Sequence, residues 1–505
     1  MIRDGKDITG SHKAQVCVIG SGPAGITAAW ELSAAGLDVI LLDGSRKLDY
    51  SVRDYYKKSF EDKAKLYAGV AEGIFSPYAY IPLSTFLIRS TDPDAPSPDF
   101  PEERERVYGG TPTHGGGQCR PLDPLAFEKR HGFPGWPITR RQLDPYYAKA
   151  ATLNHLYGDY GADGVNFTAE FWAGKIKDTA VPKLEGFVAE MYQCMRMEWV
   201  NFATRTFNGN DKVDDRVRVI VNATLLDIVA QGGSVRYLVV ASMNDDTDNP
   251  QKATEFTITA DVYILACGAI ENARQLLLSG IGNNLVGRYF MCHPLTRNTP
   301  IKTRNGKKYL CSPEYALMQE NPWNDSIRSV QGRFAIADEI AKEKQIGKCW
   351  FWVTDDKAQM YLEMTPNYCS YVSLADTRDP VFGQRQTYIR WQLTELDKRT
   401  YETNCTHFDA AARKREKDSG IEWPSWKELA NEWTINGHHL GTTRMSASTA
   451  PEGGVVDENL KVHGIDNLYV AGASVFPTCG TSNPTMTIVA LSIRLAEHLL
   501  PVIRP

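Results

Sequence analysis

The sequence predicts an α/β protein in which a Rossmann-type nucleotide-binding domain is interleaved along the chain with a second domain, built on a largely antiparallel sheet backed by helices. A β-α-β unit with a glycine-rich turn lies near the N-terminus, and a strand and a long helix of the same kind return near the C-terminus. A segment rich in Tyr, Trp and Thr separates them, and its patterns predict strands of one antiparallel sheet over 349–353, 359–364, 371–374 and 387–393. Two further strands of the nucleotide-binding domain are predicted over 256–258 and 262–266. We expect residues 1–294 and 435–505 to form the nucleotide-binding domain, with insertions around 46–106 and 150–212, and residues 295–434 to form the second domain.

The bulk composition excludes several classes of protein. The 505 residues are 42% hydrophobic and 23% charged, which is an ordinary globular balance for two or three domains. A net charge of −5 without a basic stripe argues against nucleic acid as the main partner. No apolar run approaches the roughly 20 residues that span a bilayer, and the polar N-terminus shows no signal-peptide pattern, so a cytoplasmic location is expected.

Cysteine spacing argues against metal centres and haem attachment. The ten cysteines are scattered and form no CxxC pair, which excludes ribbon-type zinc sites and c-type haem attachment within the chain. No metal is therefore expected.

The β-α-β unit carries a dinucleotide fingerprint. An apolar strand over 16–19 leads into Gly20-Ser21-Gly22-Pro23-Ala24-Gly25, a helix follows to about Ala35, and a second apolar strand over 39–42 ends at Asp43. The glycines allow a tight turn and a close approach of the pyrophosphate to the helix N-terminus. An acidic Asp43 suits a ribose hydroxyl and disfavours a 2′-phosphate, so FAD or NAD fits better than NADP.

The choice of FAD comes from a resemblance. Over nearly its whole length the chain resembles the glucose–methanol–choline (GMC) oxidoreductase family, in residues 18–25, 108–111, 266–274, 286–290, 437–445 and 467–477. Six matches in order are far more specific than one motif. The resemblance implies a GMC / p-hydroxybenzoate-hydroxylase-like fold, FAD as cofactor, and oxidation of an alcohol by base-assisted hydride transfer to flavin N5.

The resemblance also implies a set of cofactor-binding residues. We expect FAD to be bound by Gly20, Gly22, Pro23, Ala24, Gly25, Asp43, Gly109, Gly110, His114, Gly115, Gly116, Ala223, Gly268, Gly472, Ala473, Pro484 and Thr485. His114 has the spacing from Gly110 at which pyranose oxidases attach FAD covalently. Sugar dehydrogenases of the family can carry a histidine there without a covalent bond, so both arrangements stay open.

Two residues near the C-terminus are predicted to be catalytic. His438 matches the family's base in the pattern His-x-x-Gly-Thr-x-x-Met, and a neutral imidazole can accept an alcohol proton at pH 7. Asn483 matches the position of a second His or Asn, and its amide can hold the substrate oxygen without titrating. His439 is expected to be structural or to lie against the cofactor, and His293 is expected to be structural.

Two departures from the general family pattern narrow the prediction. Asn at 483 and Gly at 472, where many members have His and Asp, resemble the pyranose-oxidase-like and glycoside 3-oxidase-like branch. The predicted function is FAD-dependent oxidation of a secondary hydroxyl of a pyranose or glycoside, at C2 or C3, with dioxygen or a quinone-like acceptor reoxidising the flavin.

Two alternatives stay open. The substrate is a choline-like or natural-product alcohol in the first, and the protein is a lyase that retains FAD in the second. The aromatic middle region is compatible with a sugar pocket, although aromatic side chains on sheets are more often core.

Overall fold

The computed structural model describes most of the chain. The described residues are 2–45, 85–87, 108–110, 117–161, 163–173, 175, 183–195, 217–244, 251–303, 314–316, 327–354, 357–415, 419–429, 434–435, 437–449 and 453–504.

These residues form strands and helices in an interleaved order. The strands are β1 Ile2–Asp4, β2 Gly10–Ile19, β3 Val39–Leu42, β4 Thr85–Leu87, β5 Gln118–Cys119, β6 Phe187–Met195, β7 Val217–Val221, β8 Thr224–Gln231, β9 Ser234–Met243, β10 Lys252–Leu265, β11 Pro294–Thr303, β12 Glu314–Ala316, β13 Ile327–Ile336, β14 Cys349–Val353, β15 Lys357–Leu362, β16 Tyr371–Arg378, β17 Arg385–Arg390, β18 Ser419–Ile421, β19 Thr434–Ile435 and β20 Leu468–Val470. The α-helices are α1 Pro23–Ala34, α2 Pro124–Phe127, α3 Arg140–Leu153, α4 Ala169–Ala173, α5 Ala269–Leu278, α6 Asp338–Lys344, α7 Glu395–Arg415, α8 Trp426–Leu429 and α9 Thr485–Ile503.

The first sheet has eight strands in the order β1-β7-β3-β2-β10-β9-β8, with β20 also paired to β10. Its β1, β7, β3, β2, β10 and β20 strands pair in parallel, and β8 and β9 extend it as an antiparallel meander. All four residues of β3 are fully buried, as expected for a parallel strand covered on both faces. The predicted α/β fold class is confirmed, and the N-terminal and C-terminal parts of the chain share this sheet.

The second sheet has nine strands, all antiparallel, and its two faces differ. The order is β18-β11-β15-β14-β13-β6-β5, with β12 and β19 at the sides. Phe334 of β13 lies opposite Phe351 of β14, whose ring stacks on Phe408 of α7 at 4.3 Å. Because side chains alternate along a strand, Arg333 of β13 and Trp350 of β14 point to the other face. That face is polar and aromatic, and it holds the site described below.

The structure corrects three details of the sequence prediction. The predicted strands over 371–374 and 387–393 do not join the second sheet; they form a separate three-stranded sheet with β4, in the order β16-β17-β4. The β6 strand lies in the predicted insertion 150–212, yet it pairs with β13 along nearly its whole length. The predicted segments over 256–258 and 262–266 are one continuous strand, β10.

The last helix, α9, is the one described helix that is long and apolar enough to cross a membrane, by length and composition alone. It has a mean hydropathy of 1.6, and 56% of that segment is buried in the structure. It packs against α1 and α3, and core helices of globular proteins share these properties. Absence of a membrane span and the cytoplasmic location stay predictions.

Candidate active site

The glycine-rich turn after β2 has the open geometry that a dinucleotide phosphate requires. Gly22 caps the N-terminus of α1 without any side-chain hydrogen bond, so the first N–H groups of the helix are available to a ligand. A Cβ atom added at Gly22 would meet nothing within 4 Å, whereas one at Gly25 would lie 1.9 Å from the carbonyl oxygen of Gly20. Gly25 thus allows the helix to pack against the turn, and the space beside Gly22 fits a pyrophosphate.

Asp43 lies at the end of β3, at the edge of the sheet where a ribose is expected. Its two carboxylate oxygens accept hydrogen bonds from the backbone N–H groups of Ser21 (2.9 Å) and Ser45 (2.8 Å) and from both serine hydroxyls. The N–H of Ala223 donates to the backbone oxygen of Asp43 at 2.8 Å. Ala223 and Asp43, which were both predicted to bind the cofactor, are therefore neighbours at the carboxyl ends of adjacent parallel strands.

The other predicted cofactor residues converge on the same turn. The N–H of Gly109 donates to Ser21 Oγ at 3.0 Å, and a Cβ atom on Gly110 would lie 2.8 Å from the Cα of Gly22. A Cβ atom on Gly472 would lie 3.8 Å from that of Ala24. These contacts bring together three chain segments that are far apart in the sequence.

The remaining predicted cofactor residues stand at turns and helix starts. Gly268 precedes α5, Ala473 follows Gly472, Pro484 caps α9 without a side-chain hydrogen bond, and Thr485 is the first residue of that helix. Three predicted residues, His114, Gly115 and Gly116, lie outside the described residues. The structure therefore does not test the covalent and non-covalent arrangements of FAD at His114, which the sequence left open.

A short antiparallel contact places two histidines opposite each other. Met291 and Leu440 exchange both backbone hydrogen bonds, at 3.0 and 2.9 Å. In this antiparallel register His293, two residues after Met291, faces His438, two residues before Leu440. His439 turns the other way, with its ring 5.6 Å from that of Phe290, which separates it from His438 as expected.

Hydrogen bonds fix the protonation pattern of this pair. His293 Nε2 lies 3.0 Å from the carbonyl oxygen of Gly480, which can only accept, so Nε2 carries the hydrogen. His293 Nδ1 is then the acceptor of the 2.9 Å hydrogen bond that His438 Nδ1 donates. As a result, His438 Nε2 keeps its lone pair. Asn483 Nδ2 lies 3.3 Å from this atom.

Burial keeps both histidines neutral. Removal from water lowers the pKa of His293 to about 4, although its hydrogen bonds to the 479–480 backbone oppose this. Burial also lowers the pKa of His438 well below 6.5, and the nearby His293, His439 and Arg333 lower it further. A neutral His438 is the form that can accept a proton.

The loop that carries Asn483 is held on both sides. Trp350 Nε1 donates to the carbonyl oxygen of Thr481 at 2.8 Å. Ser482 Oγ donates to the carbonyl oxygen of Pro121 at 3.0 Å and accepts from Arg120 Nη1 at 3.2 Å. These bonds fix the position of Asn483 relative to His438.

The residues that follow His438 explain its sequence pattern. A Cβ atom on Gly441 would lie 2.2 Å from the carbonyl oxygen of Tyr289, so a side chain would separate the two segments. Thr442 Oγ1 donates to the carbonyl oxygen of Ala269 at 2.5 Å. The guanidinium of Arg444 stacks on the Tyr289 ring at 3.4 Å. These residues hold the segment on which His438 lies.

Sequence reasoning missed two residues beside His438. His293 was expected to be structural, yet its ring bonds directly to the predicted base. Arg333, on the polar face of the second sheet, acts on the pKa of His438. The alternation of Gln331 and Arg333 with the apolar Val330 and Phe334 along β13 is the signal that could have indicated a polar sheet face.

The fold, the phosphate-binding turn and the neutral histidine together define an FAD-dependent alcohol oxidoreductase. The comparisons with known proteins agree: a model of the FAD binding domain matches residues 13–55, and a model of the GMC oxidoreductase C-terminal region matches residues 366–492. The matched C-terminal segment is thus similar to the GMC oxidoreductases, and the matched N-terminal segment is similar to an FAD binding domain.

Three relatives and one solved structure are similar to this chain. The chain is 24% identical to the fructose dehydrogenase large subunit of Gluconobacter japonicus, over 96% of this chain and 98% of that one. It is 22% identical to the pyranose 2-oxidase of Lyophyllum shimeji, over 98% and 93%. It is 43% identical to the C-glycoside 3-oxidase of Microbacterium trichothecenolyticum, over 58% and 57%. The formate oxidase of Aspergillus oryzae shares the fold, with a TM-score of 0.61, 16% identity and coverage of 98% and 99%.

Proposed function

We propose that the protein oxidises a secondary hydroxyl of a pyranose sugar or glycoside, at C2 or C3, to a ketone. Dioxygen or a quinone-like acceptor would then reoxidise the flavin. The observation that carries the proposal is the His438–Asn483 pair, in which the lone pair of His438 Nε2 faces Asn483 Nδ2 at 3.3 Å. The names of the relatives, which include a pyranose 2-oxidase and a C-glycoside 3-oxidase, support a sugar as the substrate.

His438 and the two residues bonded to it have different roles in activating the alcohol. His438 Nε2 accepts the hydroxyl proton, and Asn483 Nδ2 donates a hydrogen bond to the substrate oxygen and orients it. His293 Nδ1 holds the Nδ1–H of His438, which keeps the lone pair on Nε2. Bound FAD supplies the acceptor for the hydride that leaves the carbinol carbon.

The polar face of the second sheet supports a sugar as the occupant. Trp350 and Tyr361 stack on each other at 3.9 Å, and the Tyr361 ring lies 6.2 Å from the ring of His293. Gln118, Gln331 and Arg333 belong to the same face. Flat aromatic rings beside amide and guanidinium donors match a pyranose, which presents apolar ring faces and hydroxyl edges.

The test is anaerobic reduction of the bound flavin. The holoenzyme is mixed with a panel of monosaccharides, alkyl and aryl glycosides, choline and simple secondary alcohols, and loss of the oxidised flavin absorbance is followed. Bleaching by pyranoses or glycosides, with a ketone at C2 or C3 in the product, is the expected result. Bleaching by non-sugar alcohols alone would refute the sugar claim. A lyase would cleave its substrate without net bleaching.

Two further observations on the same sample complete this test. Mixing the reduced enzyme with dioxygen, and separately with a quinone, shows which acceptor restores the absorbance. The spectrum of acid-precipitated protein shows whether flavin stays attached, as covalent bonding through His114 requires.

A further inference from the structure

Arg333 is a charged side chain enclosed in the polar face of the second sheet. It is 4% exposed. Its guanidinium lies over the ring of Trp350 at 3.9 Å and over the ring of Tyr192 at 4.0 Å. The two aromatic rings hold the guanidinium in place, but they do not neutralise its charge.

The hydrogen bonds of Arg333 are incomplete. Its Nη2 donates to Gln118 Oε1, whereas Nε and Nη1, which carry three of its five N–H bonds, are buried without a partner among the described residues. Glu190 is its cross-strand neighbour, but that carboxylate pairs with Lys348 at 3.2 Å and with Arg120 at 3.7 Å. The cross-strand carboxylate is thus already shared by two other cations, and a buried guanidinium with incomplete hydrogen bonds is unfavourable. An anionic ligand would complete both its hydrogen bonds and its charge pairing.

The position of Arg333 connects it to the catalytic pair. Trp350, on which it stacks, donates a hydrogen bond to Thr481, two residues before Asn483. The charge of Arg333 also acts on His438 and lowers its pKa. Arg333 therefore belongs to the wall of the same site.

We infer that the substrate carries a carboxylate and that Arg333 binds it. This inference rests on the proposed function and specifies it as the oxidation of an acidic pyranose or pyranoside. Sugar hydroxyls alone would occupy the free N–H groups but would leave the charge uncompensated. A carboxylate supplies both the charge and two acceptor oxygens that match the guanidinium. The carboxylate belongs either to the sugar ring, as in a uronic acid, or to the aglycone.

Matched substrate pairs test the inference and separate these two sources. Anaerobic flavin reduction is measured with methyl glucuronoside and its methyl ester, and with 4-carboxyphenyl glucoside and its methyl ester. The quantity compared is the limiting rate constant of flavin reduction divided by the apparent dissociation constant of the substrate. In one of the two pairs, we expect this ratio to be roughly 10- to 100-fold higher for the acid than for its ester, the range for a hydrogen bond to a charged group. The pair that shows the preference identifies where the carboxylate lies.

Variants of Arg333 link the preference to this residue. In Arg333→Gln the acid-to-ester ratio should fall to about one, and Arg333→Lys, which keeps the charge, should restore part of it. Arg274→Gln is the matched control, since Arg274 is 1% exposed but is bound to Glu271 and to the carbonyl oxygen of Arg385. Its acid-to-ester ratio should equal that of the unmodified enzyme. Flavin content and melting temperature identify variants that fail to fold.

The outcomes separate this inference from the proposed function. Esters that bleach the flavin as well as or better than both acids would overturn the role of Arg333 and leave the oxidation of pyranosides standing. An acid preference that persists in Arg333→Gln would also overturn it. If no pyranoside, acidic or neutral, bleached the flavin, the proposed function would fail and the inference with it.

Discussion

The two large sheets of the molecule are built for different tasks. In the first sheet, the parallel strands bury apolar side chains on both faces, and several of the predicted cofactor residues, the glycines of the turn after β2 and Asp43, lie at one edge. In the second sheet, one face is apolar core while the other carries Arg333, Trp350 and Tyr361 beside the catalytic loop. In the proposed function, the first sheet mainly presents backbone groups to FAD, and the second presents side chains to the substrate.

This difference teaches where specificity lies. A cofactor shared by many enzymes is bound largely by backbone N–H groups. The positions where the backbone approaches the cofactor closely are therefore restricted to glycine. A particular substrate is bound by side chains on a sheet face, where a single substitution changes charge and shape without changing the fold. The His293–His438 contact lies between these two regions, because it is made where the chain passes into β11 and where it leaves the second domain.

The largest expected effect comes from the base. His438→Ala should slow anaerobic flavin reduction by about 10²- to 10⁴-fold, the usual contribution of general base catalysis. His12→Ala, which removes a histidine from the outer part of the first sheet, is the control. A His438→Ala rate within a factor of a few of the unmodified rate would show that another group takes the proton.

The next largest effect is a loss of stability when the buried charge of Lys348, beside β14 of the second sheet, is removed. Lys348 is enclosed and pairs with Asp123 (3.3 Å), Glu190 (3.2 Å) and Asp338 (2.8 Å). Lys348→Met should lower the free energy of unfolding by roughly 3–5 kcal/mol, because it leaves buried carboxylates uncompensated. The corresponding pair of the first sheet, Arg218–Asp38, is about half exposed, so Arg218→Met should cost only about 0–1 kcal/mol. Denaturant titration of both variants measures the contrast, and equal losses would contradict it.

A pH effect on stability follows from His293. Its pKa is about 4 in the folded protein and about 6.5 when unfolded, so the unfolded chain binds more protons between these values. Its contribution to stability is fully present above pH 6.5 and is lost as the pH falls toward 4, by roughly 3 kcal/mol. Denaturant titrations at several pH values should show this slope, and His293→Leu should reduce it. An unchanged slope in the variant would assign the effect to other groups.

The smallest expected effect is the kinetic contribution of His293. His293→Leu removes the acceptor for His438 Nδ1–H and should lower the limiting rate of flavin reduction by roughly 10- to 100-fold, the cost of a lost buried hydrogen bond. The apparent dissociation constant of the substrate should change little, since both ring nitrogens of His293 are already bonded within the protein, to His438 and to Gly480. His293→Gln, whose amide oxygen can accept the same bond, should recover part of the rate. A change in substrate affinity alone would indicate that His293 acts only through the shape of the site.

The sequence predicted the first sheet far better than the polar face of the second sheet, which carries Arg333 and Trp350. The turn at Gly20–Gly25 and the strand ends at Asp43 follow from local rules, because glycine spacing and apolar runs act over a few residues. The pairing of β6 with β13 is a contact between segments more than a hundred residues apart, and composition does not record it. The placement of His438 opposite His293 likewise depends on a single bridge, between Met291 and Leu440.

The position of Arg333 shows the same limit. A lone arginine in a strand is most simply solvent-exposed, and only the packing of Tyr192 and Trp350 on either side shows that it is enclosed. The family resemblance predicted His438 and Asn483 as the catalytic pair, and this stays a prediction. The sequence did not indicate that His293 bonds to His438 or that Arg333 is enclosed near it.

The central claim is that His438 removes the proton of a ring hydroxyl of a pyranoside, which Asn483 orients, while the hydrogen on the same carbon leaves as hydride. The most direct measurement is anaerobic flavin reduction in a single turnover with a pyranoside deuterated only at C2 or only at C3. One of the two should reduce the flavin more slowly than the unlabelled sugar, and its deuterium should be absent from the ketone formed. If neither label changed the rate and both deuterium atoms remained in the product, the claim would be contradicted.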